Sequence, residues 1–216
     1  HLLPLLTVLL IFSLTQILFC FSRWHFILAC FWISLMFHAE PPISIFSIPA
    51  LLIVSFLVGR QQKKINFKTV FLGILAFVIP FLPLLVFDLR HDFLQFKSVL
   101  SFLSGETRGL QEIAPLSFWQ RLLNRPNRLF FSFKETVFKT ANILVLLVVI
   151  TLIKLIKDAQ LSPFIRKFLQ ASLIYFVSVS AIFIFYQHEF KLFYLGGLQL
   201  LYLIWTAIGL SLLWQK

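Results

Sequence analysis

Residues 26–58 are almost wholly apolar and are broken once, by His38-Ala39-Glu40-Pro41-Pro42. One spanning helix needs about 20 apolar residues and two need roughly 40, so a stretch of about 33 is too long for one crossing and too short for two. Basic residues flank it on both sides, Arg23 and His25 before it and Arg60, Lys63 and Lys64 after it. Cytoplasmic flanks of membrane segments are enriched in Lys and Arg, which places both ends on one side, so the chain is expected to enter the membrane, turn and return. At about 1.5 Å per residue, 26–37 rises roughly 18 Å and 43–58 roughly 24 Å, and the turn falls in the outer half of the bilayer. Polar groups and irregular backbone are tolerated at that depth only where they face protein or a water-filled cavity, which makes the tip a candidate site.

The rest of the composition agrees with a membrane solvent. Hydrophobic residues make up 60% of the chain and charged residues 12%, with a mean hydropathy of +0.94, whereas soluble domains carry about a quarter charged residues. The chain is read as an integral, multi-pass membrane protein. Its net charge of +11 is spread in short clusters between apolar runs, where topology and anionic headgroups place Lys and Arg. No basic domain or recognition motif accompanies it, and no nucleic-acid partner is expected. Cys20 and Cys30 lie in or beside apolar segments without Cys-x-x-Cys spacing and read as small buried hydrophobes. The sequence opens at His1 with neither Met nor a basic leader, so a piece of a longer membrane protein is expected.

The expected architecture is an all-α polytopic bundle forming one membrane domain over 1–216. Its spans are 2–21, the hairpin of 26–37 with 43–58, then 67–87, 141–156, 168–187 and 192–214. Pro80 and Pro83 interrupt 67–87 and imply a kink. Residues 88–140 form the one long polar stretch and are placed outside. Within it, Phe93, Phe96, Leu100 and Leu103, and then Phe118, Leu122 and Leu123, recur at helical spacing and suggest short helices on the membrane surface. Gly105–Gly109 and Asn124-Arg125-Pro126-Asn127-Arg128 read as turns. Lys63, Lys154 and Lys216 fall on the inner side, opposite His38, Arg90 and His188.

Three polar constellations therefore share the outer face. His38 and Glu40 form the hairpin tip, either as a polar turn capping two helices or as the floor of a cavity. Asp88-Leu89-Arg90-His91-Asp92 stands where a span leaves the membrane, and its mixture of carboxylates, guanidinium and imidazole can bind a phosphate, a divalent cation or itself. His188-Glu189-Phe190-Lys191 makes a short outer turn close to the headgroups. It lacks the second His of a zinc-protease motif, and no metal site is assigned to it. Neither a glycine-rich phosphate loop nor a recognisable Ser/His/Asp arrangement is present.

Taken in order, these pieces resemble the GT-C superfamily of membrane glycosyltransferases, which includes protein O-mannosyltransferases and lipid A aminoarabinose transferases. The half-length apolar helix with its polar tip and Pro-containing return (Leu35-Met36-Phe37-His38-Ala39-Glu40, then Ile48-Pro49-Ala50-Leu51) is similar to the middle of those proteins. The phrase Pro80-Phe81-Leu82-Pro83-Leu84-Leu85-Val86-Phe87-Asp88-Leu89-Arg90-His91-Asp92-Phe93 looks like the exit motif of bacterial members, and the turn from His188 to Tyr194 like their late His-containing turn. The layout covers nearly the whole chain, and only the Arg-His exit phrase is specific in sequence.

The resemblance implies transfer of a sugar from a polyprenyl-phosphate donor to a lipid or glycan acceptor at the outer face of a bacterial plasma (inner) membrane. It places the catalytic carboxylate in a loop upstream of His1, so this chain supplies no assignable base and is expected to be inactive alone. Charge builds on the leaving phosphate, which calls for cations. Arg90 is the first choice, since its planar fork engages two phosphate oxygens, followed by His91, His188 and Lys191. Asp88 and Asp92 would orient Arg90 or help hold a divalent cation, and His38, Glu40 and Glu189 would line the cavity. Pro80 and Pro83 would open the helix beside a prenyl chain. Two other classes share parts of this pattern: a transporter or flippase, and a polysaccharide ligase or polymerase of the O-antigen kind. A transporter would line both halves of several spans with polar residues, whereas the polar groups here are expected on the outer side only.

Overall fold

The computed structural model describes residues 2–60, 65–94, 96, 97, 100, 117–137, 161–185 and 196–214. Every secondary-structure element among them is helical: α1 (Leu3–Cys20), α2 (Arg23–Ala39), α3 (Pro41–Arg60), α4 (Phe67–Val78), a 3-10 turn (Ile79–Phe81), α5 (Leu82–Arg90), α6 (Phe118–Val137), α7 (Pro163–Phe185) and α8 (Gly196–Trp214). Four helices are long and apolar enough to cross a membrane: α1, α3, α4 with its continuation through α5, and α7. The expected segment 141–156 lies outside the described residues.

Proline and its neighbours set several boundaries. Pro4 sits in the first turn of α1, where a missing N–H leaves no bond unmade. Glu40 is the one non-helical residue between α2 and α3. Its extended backbone (φ −154°, ψ 94°) is the conformation a following proline enforces, while Pro41 has the φ of a helix start. The break is therefore one residue long, shorter than the polar tip suggests. α2 has 17 residues, about 25 Å at the helical rise, and is longer than the 26–37 arm read from sequence. Pro80 and Pro83 end α4 at Val78, insert the 3-10 turn and restart the helix at Leu82.

Two expectations need correction. Asn124–Arg128 is no turn, because α6 runs through it with Pro126 inside the helix. The loop's second helical stretch is one element of 20 residues, and its inward face is formed by Arg125, Leu129, Ser132 and Phe133, while Phe118, Leu122 and Leu123 are exposed. Packing of that inward face holds the helix together across the proline. The late outward span also begins earlier than residue 168, at Pro163, where the Ser162 hydroxyl accepts the Ile165 N–H at 3.3 Å.

α1 is the centre of the bundle and packs against α2, α3, α7 and α8, whereas α4 leans on α2 and α6 lies across α7 and α8. Neighbours alternate in direction. Phe19 near the end of α1 meets Phe164 at the start of α7, with ring centroids 5.9 Å apart, and Gly197 at the start of α8 faces Leu3 and Thr7 at the start of α1. One end of the bundle, the tip end, thus gathers the starts of α1, α3 and α8 with the ends of α2, α5 and α7.

Two glycines permit close helix approach. A Cβ on Gly73 would lie 2.8 Å from Cε1 of Phe26 and 3.1 Å from Sγ of Cys30, and one on Gly197 would lie 2.5 Å from Oγ1 of Thr7.

Buried hydroxyls run along the whole length of the core, beyond the outer-side clustering expected. Thr15 donates to the Ile11 carbonyl at 2.7 Å and Thr206 to Tyr202 at 2.8 Å, each four residues back along its own helix. Such back-bonding lets Ser and Thr sit in an apolar layer without a partner helix. Three contacts do cross between helices: Ser44 donates to the Ile33 carbonyl at 2.6 Å, Trp205 Nε1 to Ser172 Oγ at 2.9 Å, and Ser47 to the Tyr175 hydroxyl at 3.4 Å.

Candidate functional site

An open cleft of about 440 Å³ lies at the tip end between α2 and α5, lined by Leu35, His38, Pro80, Pro83, Leu84 and Phe87. The local sequence explains its shape. The helix from Phe67 breaks at Pro80, so the chain past Val78 no longer follows one continuous helix, and the rings of Phe81 and Phe37 (centroids 4.9 Å apart) close the gap behind. His38 belongs to the last turn of α2, and its imidazole lies 5.2 Å from the Phe81 ring. The lining is apolar apart from that imidazole.

The exit phrase continues from the cleft wall. Positions 80, 83, 84, 87, 90 and 91 recur at helical spacing, which brings Arg90 and His91 one turn beyond Phe87 along the same side of the chain. His91 stacks on Phe87 with centroids 4.0 Å apart and 18° between planes, and its Nδ1 lies 2.8 Å from the Phe87 carbonyl oxygen. A carbonyl only accepts, so Nδ1 carries the proton and Nε2 is left for a ligand or solvent. Arg90, His91 and Asp92 are all exposed.

Asp88 behaves differently from the exposed trio. It is buried, its carboxylate accepts the Phe96 N–H at 2.9 Å, and its carbonyl accepts the N–H groups of His91 at 3.1 Å and Phe93 at 2.8 Å. These bonds fold the chain back after α5, and Asp92 and Phe93 take left-handed conformations (φ 53° and 58°) in the turn that results. Asp88 is thus a scaffold for the exit turn. Among the described residues no three His, Cys, Asp or Glu side chains come together as a metal would require, and the expected cation-holding role of Asp88 and Asp92 gains no support.

Glu40 stands at the turn between α2 and α3, and partial burial raises its carboxyl above the ordinary carboxylate range. The structure therefore brings His38 together with the Pro80–Phe87 wall, and carries Arg90 and His91 on the continuation of that wall. His188, Glu189 and Lys191 lie outside the described residues.

Arg125 was missed by reasoning from sequence. Its side chain is only 1% exposed, and its guanidinium carbon lies 5.0 Å from the centre of the Phe183 ring. Arg121, one turn earlier, donates from Nη1 to the Phe185 carbonyl at 2.7 Å, at the C-terminal end of α7 where a cation is favoured. The signal was the spacing of Arg121, Arg125 and Leu129 at four-residue intervals, hidden by reading Pro126 as a turn.

Comparison of the chain with family models, curated proteins and solved structures finds no match.

Proposed function

We propose that this chain is the donor-binding part of a membrane glycosyltransferase that moves a sugar from a polyprenyl-phosphate carrier to a lipid or glycan acceptor at the extracytoplasmic face. The observation that carries this reading is the continuity of an apolar cleft with a cationic exit: Pro80, Pro83, Leu84 and Phe87 along the wall, then Arg90 and His91 one turn on. A lipid phosphate has the same two-part chemistry, a hydrocarbon chain ending in an anion. The prenyl chain lies along the cleft, Arg90 grips the phosphate with its planar fork, and His91 Nε2, fixed by the bond at Nδ1, adds a donor when protonated. Both hold negative charge where it accumulates as the glycosidic C–O bond to phosphate breaks. His38, at the other wall, faces the reacting end of the carrier. A plasma-membrane location of the bacterial kind follows from this reading.

The full chain, reconstituted in nanodiscs, is expected to bind polyprenyl phosphate, and Arg90→Ala to weaken that binding on the order of tenfold, the scale of a charge-assisted hydrogen bond. Arg90→Lys keeps the charge without the fork and is expected to weaken it nearly as much. Unchanged affinity in both variants would contradict the assignment. A transporter is the second reading, favoured by the hydroxyls buried along the whole core. It is distinguished by flux: it requires movement of a solute across sealed vesicles, which a donor-binding domain does not produce.

A further inference from the structure

α6 presents three different surfaces. Arg125, Leu129 and Phe133 face the bundle and are 1%, 7% and 4% exposed. Trp119, Leu123 and Phe130 form a second line at spacings of four and seven, 67%, 68% and 41% exposed. Gln120, Asn124 and Asn127, spaced four and three apart and also exposed, form a third. At about 100° per residue these lines are separated by roughly a third of a turn. A helix in water would hide the second line, and a helix crossing the bilayer would hide the third.

The level of the helix is fixed by α7. Arg121 bonds the carbonyl of Phe185, and the Phe118 ring stacks on that of Phe185 at 6.1 Å, at the last described residue of a helix long enough to cross a membrane. The start of α6 therefore stands where the apolar run of α7 stops. Further along, Phe133 stacks on Tyr202 of α8 at 4.3 Å, so the helix rests on both neighbours.

We infer that α6 is an in-plane membrane-boundary helix, with bundle on one side, water on the second, and Trp119, Leu123 and Phe130 in the acyl chains just beneath the headgroups of the bilayer. Tryptophan suits that boundary, and an amphipathic helix there buries its apolar side by about 5–10 Å. The inference is independent of the donor-binding proposal. It needs no anionic lipid, because Arg121 and Arg125 are engaged with α7.

The full chain, with Cys20→Ser and Cys30→Ser, would carry one cysteine at a time at 119, 123, 130, 120, 124 or 127, labelled with an environment-sensitive dye in phosphatidylcholine nanodiscs. At 119, 123 and 130, nitroxide lipids labelled near the headgroup are expected to quench at least about twofold more than those labelled near the chain end. Aqueous iodide should quench 120, 124 and 127. Iodide quenching at all six sites would place α6 in water, stronger quenching by the deep nitroxide would make it a crossing helix, and protection from both would mean a protein covers it. Each result overturns the inference. Unlabelled chain gives a second measurement: brominated lipid should quench Trp119, seen as the difference between the native chain and Trp119→Phe, and no difference would also contradict it.

Discussion

Asp92 and Phe93 are the least comfortable residues described. A left-handed backbone costs an ordinary side chain about 1–2 kcal/mol, and here two such residues stand in succession without a glycine. They are held by Asp88, whose carbonyl and carboxylate together accept from His91, Phe93 and Phe96. Phe93→Ala and Phe93→Gly remove the same ring, yet only glycine relaxes the backbone. Thermal or denaturant unfolding in detergent should therefore find Phe93→Gly more stable than Phe93→Ala by about 1 kcal/mol, reversing the usual order of the two residues. The usual order would show that the turn does not hold its left-handed form. The charged composition of the exit phrase is legible in sequence. The division of labour within it is not, because a buried capping carboxylate and an exposed ligand-facing one are the same letter.

Prolines acted in opposite ways in two elements, and this separates what periodicity can reveal from what packing decides. At Pro80 and Pro83 the chain leans on α2 alone with much of its surface exposed, so little opposes the break, and the interruption is readable from sequence. At Pro126 the flanking Arg125 and Leu129 are buried against the bundle, and helical packing prevails over a strong turn signal. An interior proline costs a helix about 3 kcal/mol relative to alanine. Pro126→Ala, at an exposed position, is therefore expected to raise the unfolding midpoint of the full chain in detergent. A lower midpoint would mean that the proline serves a turn, as its sequence context suggests.

The whole molecule is an all-helical bundle around α1, and its class is readable from apolar run lengths alone. The order of helices around that centre is not. α1 and α3 are apolar on nearly every side, so their patterning does not say which side meets protein and which meets lipid. Contact order instead comes from small local features: the close approaches at Gly73 and Gly197, and the Ser44 bond across the α2–α3 turn. Their effect on function is to set the end of α2 beside the end of α5, so that His38, distant in sequence, becomes part of the cleft that leads to Arg90. The proposal that this juxtaposition holds a lipid-linked phosphate is the central claim. Its most direct test is photo-crosslinking of the reconstituted full chain with a polyprenyl phosphate carrying a diazirine in its first isoprene units, followed by peptide mapping. Adducts are expected on Leu35, Leu84 or Phe87, competed by unlabelled polyprenyl phosphate and not by the corresponding alcohol. Adducts spread over the exposed faces of α3 and α4, or competed equally by the alcohol, would contradict it.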